Sequence, residues 1–261
     1  MLYRKASSES IQGVKKEKAM DICFFGTGHG VPEAGKKCAS TIFKVGEFYY
    51  IIDAGCDVAY ELSDKRIPFE KVKAIFITHS HSDHTNGLIP FMTITSWYYT
   101  KADYEIFLPS DKTLRKYLDC VIPGIEDFTL SENHRISSYN DGEVYNDGQV
   151  RVSAFSTKHC DDSHAFLVEA EGKRVLFTGD LRHPSVDFPD VDSLDAVIAE
   201  GAHFPVTDYE TILKSRKVRS FYLNHYGNYL GMLNHANFHE LKKSFPNISM
   251  ELTTDGMEIT V

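Results

Sequence analysis

The stretch Ile77–His84, "ITHSHSDH", follows the apolar run Ala74–Phe76 and places His79, His81, Asp83 and His84 within six positions. Side chains of this kind do not help a core pack, because each is costly to bury without a partner. What they share is donor chemistry. Imidazole nitrogen and carboxylate oxygen together suit zinc and similar divalent ions. In a tight turn, His-x-His aims two rings the same way and leaves Asp83 and His84 for a neighbouring position. A polar loop that is merely histidine-rich is the competing reading of these eight residues taken alone.

The rest of the chain can carry such a site. It has 261 residues, 42% of them hydrophobic and 12% aromatic, enough for a sizeable core without disulfides or a structural metal. The formal charge of -9 argues against general polyanion binding and leaves only a local basic patch. Cys23, Cys38, Cys56, Cys120 and Cys160 are scattered, odd in number and without CxxC spacing, and read as reduced thiols of a cytoplasmic protein. No apolar run approaches the roughly 20 residues needed to span a bilayer, so no membrane association is expected. The opening "MLYRKASSESIQGVKKEKAM" lacks the apolar centre of a secretion signal. Residues 1–19 read as an N-terminal arm and residues 20–261 as one domain.

From Asp21 onward, short β-branched and aromatic runs end in turn residues: "DICFFG", "STIFKV", "FYYIID", "KAIFIT", "EIFLP", "VRVSAFS", "HAFLVEA", "RVLFTGD", "AVIAEG", "SFYLNH" and "MEITV". Helical patterns lie between them at 57–65, 88–99, 111–121, 209–217 and 234–244. Strands then helices, twice over, predict two sheets packed face to face with helices outside. Polar residues recur at strand ends: Asp53, His79, Asp180, Glu200 and His225. Loops on a rigid sheet are where sites are built, so these ends are expected to converge on one edge. His159 in "FSTKHCDDSHAF", Asp180 in "LFTGDLRHPS" and His225 in "FYLNHYGN" supply the further donors.

His79-x-His81-x-Asp83-His84 followed by His159, Asp180 and His225 resembles the metallo-β-lactamase-fold superfamily, and matching motifs run from "GTGHGVP" to "DGMEITV". The resemblance implies an α+β fold, a four-layer αββα sandwich with a dinuclear metal site at one edge. It implies that His79, His81 and His159 hold one ion, that Asp83, His84 and His225 hold the second, and that Asp180 bridges them. Flavin-linked di-iron relatives carry an acidic residue where this chain has His81. Two zinc ions are therefore the first expectation, with manganese or iron as alternatives. Ions about 3.5–4 Å apart hold a shared water and bring its pKa towards neutrality, which makes a bridging hydroxide the implied nucleophile. Asp83 would also accept a proton.

The fold alone does not settle the substrate. "FFGTGHGVPEAGKKCASTIF" looks like the opening of ribonuclease Z and its cyclic-phosphodiesterase relatives. "IIDAGCDVAYEL" is similar to their D-x-G strand, which would put Asp53 beneath the site to orient a metal-bound histidine. "AVIAEGAHFP" resembles their His-Glu-Ala-Thr segment, with Ala199 in place of the histidine and His203 three residues on as its substitute. Glu200 and His203 are thus expected to form an acid-orienting pair, the alternative being a surface histidine. The basic clusters at Lys173–Arg174 and Leu213–Arg219 do not look like the tRNA-gripping arm of ribonuclease Z. A small or cyclic phosphodiester is therefore the expected substrate. Nucleic acid stays open as a partner, as does a homodimer. A lactone, thioester or lactam hydrolase, or a non-catalytic metal-containing binding or sensing module, is the alternative.

Other residues carry two readings. Trp97, Tyr98 and Tyr99 form either an aromatic lid or ordinary helix packing. Lys36 and Lys37 either meet a phosphate or are exposed lysines. His29, His164 and His183 are expected to be supporting or surface residues, and Cys160 is expected to alternate away from the metals.

Overall fold

Ala74 and Phe76 face one way along their strand and Ile75 and Ile77 the other, and all four are fully buried. A strand of this kind must be covered on both faces. The computed structural model, which describes residues 19–109, 134–227 and 234–261, shows how. The first sheet holds β1 (Asp21–Gly26), β2 (Ser40–Val45), β3 (Phe48–Ile52), β4 (Val72–Phe76), β5 (Tyr104–Pro109) and β6 (His134–Tyr139). The second holds β7 (Gly142–Asn146), β8 (Val150–Ser156), β9 (His164–Ala170), β10 (Lys173–Phe177), β11 (Leu194–Glu200), β12 (Val218–Asn224) and β13 (Ser249–Leu252). The last strand, β14 (Glu258–Thr260), returns to the first sheet beside β1, so that the orders are β14-β1-β2-β3-β4-β5-β6 and β13-β12-β11-β10-β9-β8-β7.

Three apolar clusters define four layers. Phe24, Phe43, Tyr50, Phe76, Phe166 and Phe177 fill the space between the sheets. Outside the first sheet, Ile51, Ile75 and Ile106 meet α1 (Val58–Asp64) and α3 (Leu88–Trp97) through Leu62, Leu88 and Phe91. The four-residue α2 (Ser82–Thr85) lies between those helices in the chain. Outside the second sheet, Leu176, Val197 and Phe221 meet Tyr209, Leu213, Phe238 and Leu241. These last belong to the segment around α4 (Pro184–Asp187), α5 (Glu210–Ser215) and α6 (Asn234–Ser244). The chain is an αββα sandwich, as the motif resemblance implied.

Each sheet is half antiparallel and half parallel, and the parallel half builds the site. β3 through β6 run parallel, as do β10 through β13. Parallel strands end at the same edge, where crevices for ligands form. Asp53, Thr78, Gly179, Glu200 and His225 therefore stand at or just past carboxyl ends. Gly55 lets two of these ends approach: a Cβ there would lie 1.7 Å from the Asp83 carbonyl oxygen, so only glycine fits.

The sequence missed β6, β7 and β13, and its helix at 111–121 and residues 1–18 of its arm lie outside the described residues. β7 is an edge strand whose residues are exposed or half-buried, so it lacks an apolar signal. α2 and α4 have four residues each, too few to show a 3.6-residue period. Among the described residues no helix is long and apolar enough to cross a membrane.

Candidate metal centre

The backbone leaves its ordinary range where the site begins. Asp53 (φ 59°) and His225 (φ 46°) adopt left-handed conformations directly after β3 and β12. Such strain in a non-glycine residue persists only where surroundings fix it, and it clusters at functional sites. Asp53 is fixed from several sides. Its Oδ1 accepts from Thr78 N at 2.8 Å, the Thr78 hydroxyl donates to it, and its Oδ2 accepts from His84 Nδ1 at 2.8 Å. With the proton on Nδ1, His84 presents the lone pair of Nε2. His79 is set the same way, its Nδ1 donating to the Thr78 hydroxyl oxygen at 3.1 Å.

The seven side chains singled out as ligands meet in one place. Donor atoms of His79, His81 and His159 lie within 4.8 Å of one another, and so do those of Asp83, His84 and His225. Asp180, only 2% exposed, stands between the two groups. Its Oδ2 faces His79 Nε2 at 3.7 Å and His159 Nε2 at 3.6 Å, while its Oδ1 faces His84 Nε2 at 3.5 Å and His225 Nδ1 at 3.4 Å. The Asp180 Oδ1 and His225 Nδ1 atoms are buried and lack a hydrogen-bond partner. Orphaned buried acceptors are rare and ask for an occupant.

Electrostatics asks for the same thing. Burial, aided by neighbouring imidazoles, drives His79 down to about 2. Burial would raise Asp180, yet the charges of His225, His84 and His79 hold it well below the usual carboxylate range. Burial would likewise raise Asp83, and the hydrogen bond from His225 and the charge of His84 outweigh it. His84 goes the other way: burial would depress it, and Asp180 and Asp53 raise it well above the ordinary value. Ionised carboxylates thus sit among imidazoles, with His84 drawing positive charge to the pocket in compensation. The donor set fits divalent metal ions.

Glu200 and His203 meet beside this cluster. His203 Nδ1 lies 3.0 and 3.1 Å from the two Glu200 oxygens, leaving Nε2 directed towards Asp180 Oδ2, 3.9 Å away. The His203 ring is 4.5 Å from that of His159 and 6.0 Å from that of His225, so it overhangs both donor groups. Burial would lower its pKa, but the hydrogen bond and charge of Glu200 carry it up to about 9. Glu200 also accepts from Leu181 N at 2.8 Å, tying the pair to the Asp180 loop.

Of three further expectations, the structure overturns the one for Cys160. Of the aromatic stretch, Tyr99 packs, while Trp97 is 50% and Tyr98 77% exposed. α3 starts beside the cluster and runs 10 residues, about 15 Å, away from it. Tyr99 then stacks on Phe69 with ring centroids 4.0 Å apart, at the end of β4 opposite His79. Lys36 and Lys37 are both engaged. Lys36 Nζ donates to the Tyr226 carbonyl at 2.7 Å and lies 3.2 Å from the centre of the Tyr226 ring. Lys37 Nζ pairs with Glu61 at 2.7 Å. Cys160 does not point away: its sulfur lies within 4.8 Å of the donor atoms of His79, His81 and His159. β8 ends at Ser156, so strand alternation no longer applies there, and the thiol turns in to donate to Asp162 Oδ1 at 3.0 Å. His29 has its ring 6.4 Å from that of His225, His164 bonds the Asp162 carbonyl, and His183 caps α4 and pairs with Asp208.

Sequence reasoning missed Thr78, which links Asp53 to two histidines, and Asp187, which accepts three backbone N–H groups around the cluster. Nothing in "HPSVD" marks Asp187 beyond a proline at the start of α4.

Known proteins share this architecture. The chain superposes on the metallo-β-lactamase-fold protein YhfI from Bacillus subtilis with a TM-score of 0.72 and 18% identity, covering 93% of this chain and 100% of that one. It superposes on the short form of human tRNase Z (ELAC1) with a TM-score of 0.70 and 19% identity, covering 92% and 98%. In sequence it is 25% identical to a ribonuclease Z of Exiguobacterium sp. over 162 residues, 62% of this chain and 53% of that protein. The chain thus spans about half the length of the curated relatives it matches. The αββα layers and the edge where both parallel halves end are those of the metallo-β-lactamase fold. Within it, the family model described as Anti-Pycsar protein Apyc1 matches residues 20–228, a span that takes in every cluster residue from Asp53 to His225, and the chain belongs to that family.

Proposed function

We propose that this protein is a dinuclear metal-dependent hydrolase of phosphodiesters, with a small or cyclic phosphodiester as its substrate. The observation that carries the reading is the placement of Asp180, which turns one oxygen to each of two donor groups. In this reading His79, His81 and His159 would hold one ion and Asp83, His84 and His225 the other, with Asp180 placed to serve both. The ions, zinc in first place, supply Lewis acidity for the substrate oxygens and activate water near neutral pH.

The protein's own groups do the rest. Asp53 and Thr78 hold the rings of His79 and His84 in the orientation that presents Nε2. Asp83, beside His84 and His225, would take the proton that the attacking water sheds. His203 gives the proton at Nε2 to the departing ester oxygen, and Glu200, bonded to Nδ1, keeps the ring aimed and balances its charge. The water oxygen bonds to phosphorus as the ester P–O bond breaks.

The names of the relatives, ribonuclease Z and tRNase Z, support a phosphoester over an acyl substrate. The net charge of -9, together with a stretch between His159 and His225 that lacks the basic arm of ribonuclease Z, favours a small ester over a folded RNA. The test is a substrate panel on protein supplied with zinc or manganese. Bis(p-nitrophenyl) phosphate is expected to be cleaved while nitrocefin and simple lactones are not. Cleavage of the acyl substrates alone would move the protein to lactone or lactam hydrolysis, and no turnover of any would favour a binding or sensing module.

A further inference from the structure

We infer that Asp187 is a positioning residue that locks the His159 and Asp180 loops to each other and so sets the spacing of their donor atoms. This rests on the metal reading above. Asp187 ends α4, is 8% exposed, and turns its carboxylate back onto two chain segments at once. Oδ2 accepts from Lys158 N at 2.7 Å and from Arg182 N at 2.8 Å, and Oδ1 accepts from His183 N at 3.1 Å. Lys158 immediately precedes His159, and Arg182 follows Asp180 by two residues.

One oxygen atom therefore joins the backbones that carry two of the proposed ligands. Bonds from N–H groups to an ionised carboxylate are roughly twice as strong as neutral ones, and here they replace water that a loop end would otherwise need. A second latch runs parallel to the first: the Thr157 hydroxyl donates to the Asp180 carbonyl at 2.8 Å and the Ser163 hydroxyl to the same oxygen at 3.2 Å. His159 and Asp180 come from different strands, β8 and β10, and strand pairing does not reach their loops. The carboxylate of Asp187 joins them from backbone to backbone, alongside the latch of Thr157 and Ser163.

An amide at this position has one acceptor oxygen, and its NH2 group faces a backbone N–H. Asp187→Asn is therefore expected to loosen the junction without touching a donor atom. The test is zinc titration of metal-free wild-type and Asp187→Asn protein by calorimetry, with zinc content by elemental analysis and circular dichroism as the check on folding. The expected result is affinity weakened by about 10–100-fold for at least one of the two ions, most of all the one that His159 and Asp180 share. Should Asp187→Asn fail to fold, Thr157→Val, which opens the parallel latch with little change of shape, is expected to weaken the same ion. Unchanged affinity for both ions in a folded variant would overturn this role of Asp187 and leave the proposed function standing. Wild-type protein that takes up no zinc would overturn both.

Discussion

Asp180→Asn is expected to leave at most one zinc ion per chain and to lower phosphodiester turnover by at least about 10²-fold, the upper end of what supporting residues around a metal achieve. The carboxylate is 2% exposed and faces four imidazoles, with one oxygen turned to each donor group. Replacing it with an amide removes a negative charge that the buried cluster uses and turns N–H donors towards one of the groups. A buried charge network that loses one member is strongly destabilised locally. Elemental analysis and turnover of bis(p-nitrophenyl) phosphate on the purified variant measure both effects. Two zinc ions and undiminished turnover would mean that Asp180 bridges nothing.

His203→Ala is expected to act differently. It should slow turnover by about 10²–10⁴-fold for a substrate that loses a basic alkoxide, the range of a positioned general acid. Zinc content should stay at the wild-type value, because His203 stands beside the donor groups rather than within the set of seven. The loss should be smaller with bis(p-nitrophenyl) phosphate, whose leaving group needs no proton. Comparing the two substrates on one preparation separates proton donation from general disturbance. Equal losses on both, or a drop in zinc content, would remove the proton-donor role.

The sequence made the site legible and left its surroundings obscure. Donor atoms had to be histidines and aspartates, these occur at strand ends, and strand ends are readable from short apolar runs. The placement of Asp180 among four imidazoles and the contact between His203 and Glu200 both lie where the motif resemblance pointed. Lys36, Trp97 and Cys160 were harder, because each depended on direction. The ammonium of Lys36 turns onto Tyr226, and α3 carries Trp97 away from the centre. The thiol of Cys160 swings inward once β8 has ended. None of these is periodic, so no spacing rule reports them. Asp187 was invisible for a related reason. Its partners are backbone N–H groups, which every residue has, and only the folded chain shows which ones a buried carboxylate gathers.

The most direct test of the account is the metal content of the protein purified without chelator, measured by elemental analysis alongside bis(p-nitrophenyl) phosphate turnover. The expected result is about two zinc or manganese ions per chain, as two donor groups sharing one carboxylate require, with turnover lost on chelation and restored by adding the metal back. Metal-free protein that still cleaves the diester would contradict the account at its centre.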